Sequence, residues 1–168
     1  MKEFDRTQLK AKKALMVLRE RNSRCVRGFY ETVLRSLPSD SPSKHRQAVA
    51  ELTQLSRDIY CVMALDDEVR NGGFNQYFFG DAGHFVQDAI ASFARFDEPR
   101  IAAVVRQAVE VFSAEHELQQ RIRQTGTLEA FAASYSVSKL GEVDDAYFEG
   151  VHFDRLCEKM AAAIRSAG

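Results

Sequence analysis

The densest run of groups able to do chemistry is Asp66-Asp67-Glu68-Val69-Arg70-Asn71-Gly72-Gly73-Phe74-Asn75-Gln76-Tyr77-Phe78-Phe79, followed at once by Gly80-Asp81-Ala82-Gly83-His84. Asp67, Asn71, Asp81 and His84 offer oxygen and imidazole donors beside a glycine turn, and a pocket that raised the pKa of Asp66 would make it a general base. One reading is therefore a metal-dependent hydrolase working through Asp66, Asp67 and His84. No His-Glu-x-x-His, paired Glu-x-x-His or cysteine-ligand spacing accompanies them, so no metal ligand is assigned. No serine or cysteine stands in a Gly-x-Ser-x-Gly setting, and Gly72-Gly73 lacks the Gly-Lys-Ser/Thr of a phosphate loop. Without a complete catalytic motif, no catalytic residue is named and no cofactor is called for.

The same residues also describe a structural corner. Asn71, Gly72 and Gly73 permit positive φ, and Phe74, Tyr77 and Phe78, three and four apart, form one apolar face on the next turn. Gln76 lies on the opposite face, where it either bonds the glycine-turn carbonyls or meets a partner. Asp66 falls on a core-facing stripe, and unpaired burial there would cost several kcal/mol. Its expected partners are the backbone N–H groups of the Gly-Gly turn. His84 reads as a residue at the start of the next helix, and His45, His116 and His152 as exposed. Positive φ at Gly73 would make Gly73→Val destabilising by more than about 1 kcal/mol.

The elements around this corner are helical throughout. Ala11, Leu15, Leu18, Cys25, Phe29 and Val33 keep the spacing of a helix over residues 4–36, with Asn22 and Gly28 marking where it would divide into two. Leu37-Pro38-Ser39-Asp40-Ser41-Pro42-Ser43 is a connector. Ala48, Leu52, Leu55, Ile59, Val62 and Val69 predict one helix ending at Asn71-Gly72-Gly73. Further stripes run through Val86–Phe93, Ile101–Phe112 and Phe153–Ile164. Asp97-Glu98-Pro99 would cap the second of these, and Thr127 would start a short helix through Phe131 and Tyr135. Strict period-two alternation is absent. The expectation is an all-α, bundle-like fold: a basic N-terminal helix or helix pair over residues 1–37, a linker over 38–43 and a helical domain over 44–168.

At 168 residues, 45% hydrophobic and 28% charged, the chain suits one globular domain, with or without an arm. The formal net charge of −1 is unevenly spread. Residues 1–27 hold nine Lys/Arg against Glu3, Asp5 and Glu20, which leaves 14 basic and 21 acidic residues in the remainder. The basic arm carries no helix-turn-helix and no aromatic-basic interleave, so direct nucleic-acid binding is not the reading. Cys25, Cys61 and Cys157 are far apart, which fits a reducing cytoplasm. No run approaches the ~20 apolar residues of a membrane span.

Glu68-Val69-x-Asn71-Gly72-Gly73-Phe74-x-Gln76-Tyr77-Phe78 resembles the signature of the DNA mimic protein 19 family, a bacterial domain. Leu140-x-x-Val143-Asp144-x-x-Tyr147-Phe148 is similar to a later stretch of that family. The family continues from the aromatic turn into Asn-Ser-type residues, where this chain has Phe79-Gly80-Asp81-Ala82-Gly83, so the chemistry of that loop is not carried over. The resemblance implies a non-catalytic module that binds a protein, in particular a DNA-binding protein, and that forms a homodimer. Its binding or motif residues would be Asp66, Asp67, Glu68, Asn71, Gly72, Gly73, Phe74, Gln76, Tyr77, Phe78 and Asp144. An immunity-type neutralising protein is the alternative. Mimicry requires carboxylates spaced like duplex phosphates, one charge per ~1.7 Å of axis. Two groups qualify for that test: Asp66, Asp67, Glu68, Asp81 and Asp88, or Glu142, Asp144, Asp145, Glu149 and Asp154.

Overall fold

A helix that is apolar on every side belongs in the middle of a domain, and residues 58–66 of α3 (Gln54–Phe79) are all buried. The computed structural model describes residues 2–168, with side chains from residue 8 onward. Around α3 stand α1 (Lys2–Ser36), α2 (Pro42–Glu51), a 3-10 turn (Asp81–Phe85), α4 (Val86–Arg95), α5 (Pro99–Ala114), α6 (His116–Thr125), α7 (Leu128–Ser134), α8 (Leu140–Gly150) and α9 (Phe153–Ala167). No strand occurs among the described residues, and the fold is all-α. α3 packs on α1, α4, α8, α9 and the 3-10 turn, while α1 packs on α9 and α5 bridges α4 and α8.

α1 is one helix rather than a pair. It runs unbroken through Asn22, which is buried and accepts a bond from Arg165 at 3.2 Å, and through Gly28. Val26, Tyr30, Val33 and Leu37 join the core, but residues 8–21 are exposed. Leu15 and Leu18, expected on a packed stripe, stay about half exposed, bordering Asp154, Arg155 and Glu158 at the start of α9. The side chains of Lys2, Glu3, Asp5 and Arg6, counted in the charge of the arm, lie outside the described residues.

The stripe read as one helix from residue 43 is two. The chain leaves the helix at Leu52, and Thr53 caps α3 by accepting from the Ser56 N–H at 3.3 Å. Periodicity hid the break, since Ala48, Leu52 and Leu55 all still face the core. His45 is not exposed as expected. Its Nε2 lies 2.7 Å from the Tyr60 hydroxyl and its Nδ1 3.0 Å from the Pro38 carbonyl, where Nδ1 must donate because a carbonyl only accepts. Nor do Asp97 and Glu98 cap α5. Lys159 Nζ donates to the Asp97 carbonyl at 2.6 Å and to Glu98 Oε1 at 2.8 Å, tying α9 to the start of α5.

Candidate functional site

The Gly72-Gly73 pair bends α3. Gly73 has φ 68° and ψ −177°, while Gly72, at φ −163°, is extended. Asn71 is exposed and keeps a negative φ, because Asp97 is the sole non-glycine residue with positive φ among those described. The bend strips Phe74 N–H of a helical acceptor, and Asp144 Oδ1 from α8 takes it at 2.7 Å. The Tyr135 hydroxyl donates to the Gly72 carbonyl at 2.7 Å. A Cβ on Gly73 would overlap the Asp144 carboxylate, whose Cγ would lie 2.8 Å away. Burial pushes the Asp144 carboxyl above its ordinary pKa, with the Phe74 N–H pulling the other way.

Asp66 does not bond the turn, contrary to expectation. It is 1% exposed and accepts from Arg70 Nε at 2.7 Å and from the Tyr147 hydroxyl at 3.1 Å. Asp66 stands about two helical turns before the bend, and Asp144 fills the role assigned to it. Burial raises its pKa although Arg70 and Tyr147 both favour the charged form. Asp67 receives a two-pronged bond from Arg27 at 2.7 and 2.8 Å, which fastens α1 to α3. Glu68 accepts from Gln76 Nε2 at 2.7 Å, so Gln76 serves neither the turn carbonyls nor a free surface. Phe74, Tyr77 and Phe78 are buried, with Phe78 stacked on Phe112 at 4.4 Å between ring centres. Asn75, overlooked in the sequence, is buried too. It donates to the Ser134 hydroxyl and accepts from Gln119 at 3.5 Å, a polar link from the bend to α6 and α7.

The hydrolase set does not converge. His84 is exposed on the 3-10 turn, where it borders a cavity of about 530 Å³ shared with Asp81, His116, Gln119 and Arg123 but not with Asp66 or Asp67. Among the described residues, no group of three or more His, Cys, Asp or Glu is arranged to hold a metal ion.

The two candidate acidic groups differ sharply. In the first, Asp66 pairs with Arg70, Asp67 with Arg27, Asp81 with Arg46 at 3.9 Å and Asp88 with Arg57 at 3.8 Å, while Glu68 holds Gln76. In the second, Asp154 pairs with Arg19 at 3.2 Å and Asp144 serves the bend. Glu142, Asp145 and Glu149 remain, all exposed on α8 and ion-paired to none of the described residues. Spaced three and four apart, they share one face and rise about 4.5 and 6 Å along the axis. That is the same order as the ~3.4 Å axial step between phosphates of one strand. Phe148, 45% exposed, lies among them.

A family model described as DMP19-like protein matches residues 50–167, a span that holds both the bend and α8. No curated protein and no solved structure matches the chain.

Proposed function

The chain belongs to the DMP19-like protein family, and from that premise we propose that it is a non-catalytic module that binds a DNA-binding protein through Glu142, Asp145 and Glu149 of α8. The observation that carries this reading is the contrast between α8 and the signature. The polar groups of the signature at Asp66, Asp67, Glu68 and Gln76 bond inside the fold, whereas these three carboxylates share a solvent face beside Phe148. A basic surface shaped for duplex phosphates meets here a rigid row of negative charge with an apolar contact in its midst. No helix among the described residues is long and apolar enough to cross a membrane. A cytoplasmic setting belongs to the same reading, supported by three free cysteines.

The test is affinity capture from cells of the source organism with the wild type and a Glu142→Gln, Asp145→Asn, Glu149→Gln variant. The expected result is a protein retained at low salt by the wild type alone and released by added duplex DNA. A partner that depends on the three residues but ignores DNA would instead support the neutralising role. Retention that is indifferent to the three substitutions would defeat both.

A further inference from the structure

A helix ordinarily lays an apolar stripe on the body it packs against, but α6 turns a polar one. His116, Gln119, Gln120 and Arg123 recur at spacings of three and four, which puts them on one face, and all four line the cavity of about 530 Å³ that His84 borders. That volume lies within the range of small-molecule sites. The apolar part of the lining is Phe78, Phe79 and Phe112, with the Phe78 and Phe112 rings stacked at 19°. The 3-10 turn closes it rigidly, since a Cβ on Gly83 would stand 2.8 Å from the Tyr77 carbonyl oxygen.

Arg123 is already positioned. It donates to the Phe78 carbonyl at 2.6 Å, and its guanidinium carbon lies 5.9 Å from the centre of the Phe112 ring. No carboxylate among the described residues pairs with it, and Asp81, the acid in the lining, lies 3.9 Å from Arg46. Gln119 is 5% exposed, and its orientation follows from a chain of bonds. The Ser134 hydroxyl donates to the Phe131 carbonyl at 2.6 Å and so accepts from Asn75 Nδ2, which leaves Asn75 Oδ1 to accept from Gln119 Nε2 at 3.5 Å. Gln119 Oε1 then accepts no hydrogen bond among the described residues. Side-chain atoms both enclosed and unpartnered are confined there to Arg57 and Tyr77, so this oxygen is reached from the cavity that Gln119 lines. A nearly buried amide oxygen without a donor is a costly arrangement that a ligand would relieve.

We infer that this cavity binds a small organic anion built on a flat ring. Its carboxylate or phosphate meets the free N–H groups of Arg123, its ring lies against the phenylalanines, and a hydroxyl or amino group donates to Gln119 Oε1. The inference does not rest on the reading of α8.

Calorimetric titration of the full chain tests it with 6-hydroxy-2-naphthoate, 2-naphthoate, 2-naphthyl phosphate and uncharged 2-naphthol. The hydroxy acid should bind with Kd below about 1 mM, 2-naphthoate several-fold more weakly for want of the donor, and 2-naphthol about tenfold or more weakly for want of the charge. Whichever of 2-naphthoate and 2-naphthyl phosphate binds tighter identifies the preferred acidic group. Arg123→Gln should cost the hydroxy acid about tenfold. Because that residue also holds the end of α3, exposed Gln120 supplies a second pair of variants: Gln120→Lys should tighten the acid and Gln120→Glu loosen it, with thermal midpoints close to wild type. In NMR spectra the Gln119 side-chain amide should shift on titration. Failure of all three anions to saturate the protein overturns the inference. So does 2-naphthol binding as tightly as the acids, indifference to both Gln120 variants, or binding that leaves the Gln119 amide unmoved.

Discussion

Replacing Gly73 by alanine probes the corner on which the domain is built. At φ 68° and ψ −177° the residue occupies backbone space that side chains avoid, a strain of about 1–3 kcal/mol. The new methyl also meets the Asp144 carboxylate. Displacing that carboxylate leaves the Phe74 N–H, on a fully buried residue, without its charged acceptor, for a further loss of about 1–3 kcal/mol. The sum, about 2–6 kcal/mol, corresponds to a fall in melting temperature of roughly 5–20 °C for a chain of this size. A double-mutant cycle separates the two parts. Asp144→Ala alone should cost about 1–3 kcal/mol. In the double variant the overlap is gone and the bond is already lost, so only backbone strain is added, and the total falls short of the sum of the single effects. Urea unfolding of the four proteins, followed by far-ultraviolet circular dichroism, supplies the cycle. Additivity within about 0.5 kcal/mol, or a Gly73→Ala loss below about 1 kcal/mol, would refute the idea that Asp144 occupies the space denied to a side chain.

Asp66 sets a pH dependence of definite sign. Its raised pKa means the folded protein holds that proton more tightly than the unfolded chain, so its contribution is complete below the ordinary aspartate value near 3.9 and is lost as pH rises through the folded value. Relative to Asp66→Asn, the wild type should therefore lose stability as pH rises above the ordinary aspartate value, and a gap that moved in the wild type's favour on that rise would count against the burial argument. The cysteines should react in order of access. Burial pushes the Cys157 thiol up to about 11 and the Cys61 thiol higher still, so a thiol reagent at neutral pH should label Cys25 first, and equal rates at all three would show the core to be open.

How much of this was legible in the sequence follows from the range of each interaction. The bend at Gly72-Gly73 showed because two stretches of helical periodicity flank a pair of glycines, and the aromatic face after it showed in the spacing of Phe74, Tyr77 and Phe78. The Arg70 partner of Asp66 was also within reach, four residues on along one helix. Tyr147 and Asp144 come from α8, 81 and 70 residues distant from the groups they bond, and no local pattern reports such pairings. α6 escaped notice because its buried residues are only Gln119 and Ile122. The stripe on the first half of α1 was visible, but a stripe says that a helix can be covered and not that its own chain covers it.

Near-neutral charge argues less against an acidic binding face than it first suggests, because the total hides two separations. The first is along the chain, between the basic start of α1 and a body in which acids outnumber bases by 21 to 14. The second lies within the body. Asp58, Asp66, Asp67 and Glu98 are held by Arg95, Arg70, Arg27 and Lys159, pairs that join helix to helix or one turn to the next. Each spends a carboxylate on the fold and removes it from any external field. What is left to the surface is the remainder, and Glu142, Asp145 and Glu149 stand in that remainder on a helix whose inner face is fixed by Val143 and Tyr147. The internal bonding of the signature residues and the free row on α8 are thus two sides of one arrangement. Asp144 and Tyr147 anchor α8 to the bend and to Asp66, and that anchoring holds the outward carboxylates in register.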